Sequence, residues 1–243
     1  MFLQLLAKCA DIFPKIYQHS FNQKLYDGTL SATTFRFFLE QDKMYLCDFS
    51  EALSHISKQF AIKQNEENAK QFSDLSLYVK EAELALHRDY LQDTHSFQFF
   101  YQKEPETIKI PSIVNYTEHL LQTTKAASVE EAVACVLPCF WIYSELGKQM
   151  DISNCSGNHP YRKWIATYSD EEFVSKTAEI ILTLNKLSHS VSCPEHLEKI
   201  IESFEQSVKF ELMFFDETMA DQRETLSIGE DYQLVTCMQG NSM

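Results

Sequence analysis

The chain is poor in the residues that bend a backbone. Five glycines and six prolines among 243 residues are too few for a sheet protein, whose turns recur every ~8–12 residues. No lysine or arginine run offsets a formal net charge of −14. That excludes a nucleic-acid face, because phosphate binding needs clustered cations that displace counterions, and it argues equally against an anionic membrane surface. Long apolar runs are missing too. The longest, Ala132 to Tyr143, is about half of the ~20 residues a membrane helix requires. The amino terminus starts apolar without a basic region and is broken at Lys8 and Asp11, so no signal peptide is read. The seven cysteines form no CxxC pair and are odd in number, which excludes a simple disulfide framework and predicts reduced thiols in a cytoplasmic protein. Repeats and low-complexity linkers are absent.

What the sequence does have is helical periodicity and aromatic side chains. Eighteen phenylalanines and eleven tyrosines predict an aromatic core able to hold a flat ring. A first helix is expected from Leu3 to Tyr17, then a turn at Gly28-Thr29-Leu30-Ser31 in which Ser31 caps a helix from Ala32 to Lys58. Two helices follow between Glu66 and Phe100, and Pro111-Ser112 opens another. Ser128 with Glu131, and Ser169 with Glu172, read as capping boxes. Asp151 to Asn158 reads as a loop, and the last long helix begins after Pro194 and ends near Arg223. The expected architecture is an all-α single-domain bundle over residues 1–222, with 223–243 a tail whose role is not readable.

Three apolar stripes are interrupted by chemically active groups. Steps of three and four residues align Phe35, Phe38, Asp42, Tyr45 and Phe49 on one helix, and Phe204, Val208, Glu211 and Phe215 on another. An ionised carboxylate buried without a partner costs several kcal/mol, so each acid needs a structural donor, a raised pKa or a ligand. The third stripe, Ala132, Cys135, Cys139, Tyr143 and Leu146, lies in the most apolar helix. Pro138 directly before Cys139 has no N–H, so it frees the Ala134 carbonyl and favours a kink. A thiol beside a kink can face a pocket, whereas Cys135, one turn earlier, is assigned to core packing.

These residues carry a resemblance. His19-Ser20-Phe21, Asp27-Gly28-Thr29-Leu30 and Phe35 through Gln41-Asp42-Lys43-Met44-Tyr45-Leu46 resemble the amino-terminal signature of the TenA/thiaminase II family. Tyr116-Thr117 before Leu120-Leu121, Leu137-Pro138-Cys139-Phe140-Trp141-Ile142-Tyr143 with Gly147, His159-Pro160-Tyr161 with Trp164-Ile165 and Tyr168, and Phe210-Glu211-Leu212-Met213-Phe214-Phe215-Asp216 follow in the family's order. Ser20 stands where the family often has Pro and Phe38 where Tyr is common; the His87 region shows no family motif.

The resemblance implies a haem-oxygenase-like helical domain, usually tetrameric, that hydrolyses aminopyrimidines derived from thiamin. It implies that Asp42 holds the pyrimidine's amidine edge, Cys139 is the nucleophile and Glu211 an acid/base group, with Tyr45, Tyr116, Tyr143 and Tyr168 contacting the ring. A second subgroup of the family lacks this cysteine. Nothing in that chemistry requires a metal or cofactor. Two other readings remain open. One is a di-iron or haem protein, with His19 as haem ligand and Glu51/His55 or Glu83/His87 as pairs at i, i+4; the Glu-x-x-His spacing of di-iron bundles is absent. The other is a binder that keeps the pocket without turnover. His159, before Pro160, is expected to end a loop or cap a helix.

Overall fold

The computed structural model describes residues 1–83, 108–150 and 158–238, with residues 221–238 described by their backbone alone. Among the described residues every regular element is a helix: α1 (Phe2–Lys8), α2 (Phe13–Tyr17), α3 (Ser20–Tyr26), α4 (Ala32–Ile62), α5 (Glu66–Tyr78, running into a π-turn at Val79–Glu83), α6 (Pro111–Ala126), α7 (Val129–Gln149), α8 (Arg162–Ser169), α9 (Glu171–Ser188) and α10 (Pro194–Met238). The all-α expectation is met.

The most apolar helix, α7, takes the centre. Residues 132–140 are all buried, which is what a helix apolar on every side demands, and α4, α6, α8, α9 and α10 pack around it. Pro138 lies within α7, which continues past it to Gln149. The helix starts follow local chemistry. Ser31 accepts from the Thr34 N–H at 3.1 Å, Ser128 from the Glu131 N–H at 3.2 Å, and Pro111 occupies the first turn of α6. Gly28 has φ 72°, a conformation that favours glycine. The turn it makes is fastened from across the chain: His159 Nε2–H donates to the Tyr26 carbonyl at 2.8 Å and the Tyr161 hydroxyl to the Leu30 carbonyl at 2.5 Å.

Four expectations need correction. The first helix is two, because Pro14 sits in the first turn of α2, where its missing N–H costs nothing but where a continuing helix would lose a bond; the short α3 was not anticipated. The helix opened by Ser31 runs four residues past Lys58, to Ile62. The cap of α9 is Asp170, which accepts from the Glu172 N–H at 2.8 Å, while the Ser169 hydroxyl turns back to the Ala166 carbonyl. Finally, α10 does not stop near Arg223 but reaches Met238, so the division at 222/223 falls inside a helix. Loss of an apolar stripe removes a reason to be buried, not a reason to be helical, and no proline follows Pro194. The second helix expected before Phe100, and residues 151–157 of the predicted loop, lie outside the described residues.

One glycine sets the distance between two elements. A Cβ on Gly147 would stand 2.7 Å from the Ser169 backbone nitrogen and closer still to the Tyr168 carbonyl group, so α7 and the end of α8 meet at bare backbone. Gly147→Ala is therefore expected to destabilise the fold by about 1–3 kcal/mol, overpacking outweighing the gain in helix propensity. Urea unfolding checks this; a midpoint at or above that of the parent would show that the two backbones can part without cost.

Candidate active site

Each of the three interrupted stripes turns its active group inward. Asp42 on α4, Glu211 on α10 and Cys139 on α7 are buried at 4%, 2% and 9% exposure, and α4, α7 and α10 pack against one another. Asp42 and Cys139 line one narrow cavity with Leu46 of α4, Phe140 and Tyr143 of α7, Tyr168 of α8 and Phe173 of α9. Its volume is about 10 Å³, room for roughly one water molecule. The rings of its wall touch: Tyr143 and Tyr168 are 5.0 Å apart, and Tyr168 meets Phe173 edge-on at 5.2 Å.

Glu211 joins this group through hydrogen bonding and charge. The Tyr116 hydroxyl donates to Glu211 Oε1 at 3.0 Å, and the Tyr116 ring lies 4.9 Å from Tyr45 and stacks at 5.5 Å on Phe210. Burial pushes the Glu211 carboxyl from its ordinary 4.5 up to about 8; the Tyr116 bond pulls it back and a negative Asp42 pushes it further. Burial also holds Tyr45, Tyr116 and Tyr143 well above the usual tyrosine range, with Glu211 and Cys139 adding to the effect on all three and Asp42 on Tyr143. The site thus contains phenols that remain donors and one carboxylic acid that carries its proton at neutral pH.

All seven residues singled out from the sequence are buried in this region. Asp42, Cys139, Tyr143 and Tyr168 are in the cavity wall; Tyr45, Tyr116 and Glu211 form the adjoining polar cluster. Leu46, Phe140 and Phe173 were not singled out as site residues. Phe173 had a readable signal, since Phe173, Thr177, Ile180 and Leu184 are buried at helical spacing. Cys135, one turn from Cys139, is fully buried outside the cavity wall, close enough to Tyr116 to bear on it, with its sulfur 3.7 Å from Ser207 Oγ and its thiol pushed by burial to about 12.

The histidines considered as ligands have structural partners. His19 Nδ1 accepts from the Phe21 N–H and Nε2 bonds Asp216 Oδ1, both at 3.2 Å, capping α3 and tying it to α10. His159 Nδ1 likewise accepts from the Tyr161 N–H. Glu51 and His55 form a 3.5 Å pair at i, i+4 in which Glu51 is exposed, while His87 lies outside the described residues. Among the described residues no three His, Cys, Asp or Glu side chains are grouped to hold a metal, and no helix is long and apolar enough to cross a membrane.

Residues 6–222 match the TENA/THI-4/PQQC family. The aminopyrimidine aminohydrolase of Bacillus subtilis (strain 168) is 29% identical over 201 residues, covering 82% of this chain and 81% of that protein. The thiamine biosynthesis multifunctional protein ThiED of Corynebacterium glutamicum is 30% identical over 209 residues, 85% of this chain, which spans only 25% of that longer protein. A TenA homologue from Pyrococcus furiosus, of solved structure, superposes with a TM-score of 0.77 at 20% identity, covering 90% of this chain and all of that one, a likeness of fold. The architecture is of the haem-oxygenase-like type.

The raised Glu211 pKa has a consequence for stability. A carboxyl that binds its proton more tightly when folded contributes stability that is whole below its unfolded value, near 4.5, and is lost as pH rises through about 8. Over that window the loss is on the order of a few kcal/mol. Glu211→Gln, neutral at every pH, is expected to remove that decline, so its melting temperature relative to the parent should climb from pH 5 to pH 9. Parallel curves for the two proteins would show that Glu211 is not a buried neutral acid.

Proposed function

Because the chain belongs to the TENA/THI-4/PQQC family, we propose that it is an aminopyrimidine aminohydrolase, a thiaminase II, acting through a cysteine nucleophile in thiamin salvage. The observation that carries this reading is the meeting of a thiol and two buried carboxyl groups, Cys139, Asp42 and Glu211, in one aromatic-walled interior. The relative named aminopyrimidine aminohydrolase supports it.

The reaction replaces the amine of a substituted methyl group with a hydroxyl: one C–N bond breaks, one C–O bond forms, a water is consumed and ammonia leaves. An aminopyrimidine ring resists nucleophiles until a ring nitrogen is protonated. Asp42, facing the cavity, bridges that ring N–H and the exocyclic amine and holds the ring in its activated form. The Cys139 thiol gives up its proton, which the ring nitrogen takes up; its sulfur adds to a ring carbon, and the electron pair placed on the ring expels the side-chain amine. Glu211 gives its proton to the departing nitrogen and, now ionised, takes one from the water that adds to the methylene carbon. Collapse of the adduct returns the sulfur and restores the ring. A Glu211 pKa near 8 suits both directions of transfer near neutral pH. Tyr143, Tyr168 and Tyr45 contact the ring, and Tyr116 holds Glu211.

The cavity has to open to take any substrate. With about 10 Å³ of free space, its walls must part even for one ring; the preference for 4-amino-5-aminomethyl-2-methylpyrimidine over thiamin is proposed on the family resemblance. A homotetramer in the cytoplasm completes the proposal on the strength of the family resemblance; sedimentation tests the tetramer.

Cys139→Ser should keep the fold and ligand binding while losing ~10² or more in kcat, because a serine hydroxyl is far less ionised than a thiol near neutral pH. Cys135→Ser should lower thermal stability and leave activity per folded molecule largely intact. Ammonia release and melting curves on both variants decide: full activity in Cys139→Ser, or equal loss in both with intact folding, points to a pocket that binds without this nucleophile. Asp42→Asn should weaken binding of a pyrimidine ligand by about 1.5–3 kcal/mol, the worth of a charged hydrogen bond; unchanged affinity by calorimetry removes Asp42 from that role.

A further inference from the structure

The Tyr116–Glu211 bond depends on how α6 is seated, and the seat is built from polar side chains outside the cavity. At the first turn of α6 the Glu217 carboxylate, on α10, accepts both the Ser112 N–H at 3.0 Å and the Ser112 hydroxyl at 2.8 Å. One turn further along α6, Tyr116 reaches Glu211, and beyond that a His119 ring nitrogen bonds the Ser203 carbonyl at 3.2 Å. The partners descend along α10 as they ascend along α6, so the two helices run antiparallel and are pinned in one register at three levels. The segment leading into α6 is pinned to α4 as well. Gln41, buried beside Asp42, donates to the Ile108 carbonyl and accepts from the Ile110 N–H, each at 3.0 Å, and Lys109 pairs with Asp48.

We propose that Glu217 and Gln41 are positioning residues for the reaction: by fixing the first turn of α6 to α10 and α4, they hold the Tyr116 hydroxyl on Glu211. Both act through Tyr116, since Gln41 is spent on backbone and Glu217 on Ser112. Their presence has a chemical reason. A helix free to slide by a fraction of a turn would carry the phenol out of hydrogen-bond range, a few tenths of an ångström being enough to weaken the bond. Glu211 would then lose the one hydrogen bond that offsets its burial. The other groups that bear on this cluster are Asp42 and Tyr45 from α4, and Cys135, Cys139 and Tyr143 from α7. The Glu217 carboxylate is spent on Ser112, so a shift in Glu211 on changing Glu217 is expected to report on Tyr116.

This inference rests on the assignment of Glu211 as the acid of an aminohydrolase, but its test has a readout without substrate. In Glu217→Ala the alkaline fall in stability that Glu211→Gln abolishes should move upward by about one pH unit, the worth of a hydrogen bond to a charged group. In the same variant kcat for the aminopyrimidine should drop about tenfold with KM little altered. Glu217→Gln, which keeps an acceptor for Ser112, should recover most of both. Should Glu217→Ala fail to fold, Ser112→Ala removes one of the two bonds and should move the fall in the same direction by less. A folded Glu217→Ala or Ser112→Ala whose stability falls at the parent's pH overturns the proposal, even if the parent hydrolyses the aminopyrimidine. A shift that Glu217→Gln reverses supports it, even if no variant or parent releases ammonia, in which case it is the aminohydrolase assignment that fails.

Discussion

Two carboxyl groups in a dry aromatic interior cannot both ionise cheaply, and the rest of the site answers to that constraint. Glu211 lies on a stripe of α10 whose apolar members Phe204, Val208 and Phe215 are all fully buried, and is itself 2% exposed. With a negative Asp42 close enough to raise its pKa further, the less costly arrangement is one shared burden: one acid charged, the other neutral. The Tyr116 hydroxyl limits how far that asymmetry goes. Among the described residues it is the hydrogen bond that pulls Glu211 back toward ionisation, and it comes from a helix that brings no acid of its own to the cluster. Structure and chemistry are therefore set by the same spacing between α6 and α10.

Much of this was legible before any coordinates. An acid within an aromatic stripe is visible at helical spacing, because a helix repeats every 3.6 residues and exposes its faces to arithmetic. Asp42, Glu211 and Cys139 were found that way, and Tyr45 and Tyr143 lie on the same stripes. Caps were legible where the geometry has one solution, as at Ser31 and Ser128. Where two neighbouring residues compete for one role, sequence could not decide: Ser169 and Asp170 both precede α9, and the carboxylate took the cap. Helix ends were read from apolar periodicity, which reports burial and not backbone state, so α10 outran its stripe. The pairing of Ser112 with Glu217 across 105 residues left no local trace at all.

The two cysteines of α7 show how much one turn matters. Cys135 and Cys139 share a stripe, yet Cys135 meets Ser207 of α10 while Cys139 meets the cavity. Pro138 lies between these environments, and its ring denies the Ala134 carbonyl a helical donor. Histidines follow a similar logic of place. His19 and His159 each use one ring nitrogen to accept the N–H two residues on and the other to hold a distant segment. Such residues serve as rivets between consecutive and remote chain, which is why their presence near an aromatic core does not by itself mark a ligand.

Gly147 carries a consequence for how this sequence can change over generations. Most core substitutions can be accommodated by a second change nearby, a large neighbour becoming small. Here the atoms that a new Cβ would strike belong to the backbone of Tyr168 and Ser169, and no side-chain replacement makes a peptide bond smaller. A lineage that lost this glycine could recover only by altering the path of the chain between α8 and α9, and Tyr168 and Phe173 of the cavity wall stand on the two helices that this turn joins. Repairing the packing would redraw the pocket, so genetic suppressors of a Gly147 change should be rare and, where found, altered in substrate preference.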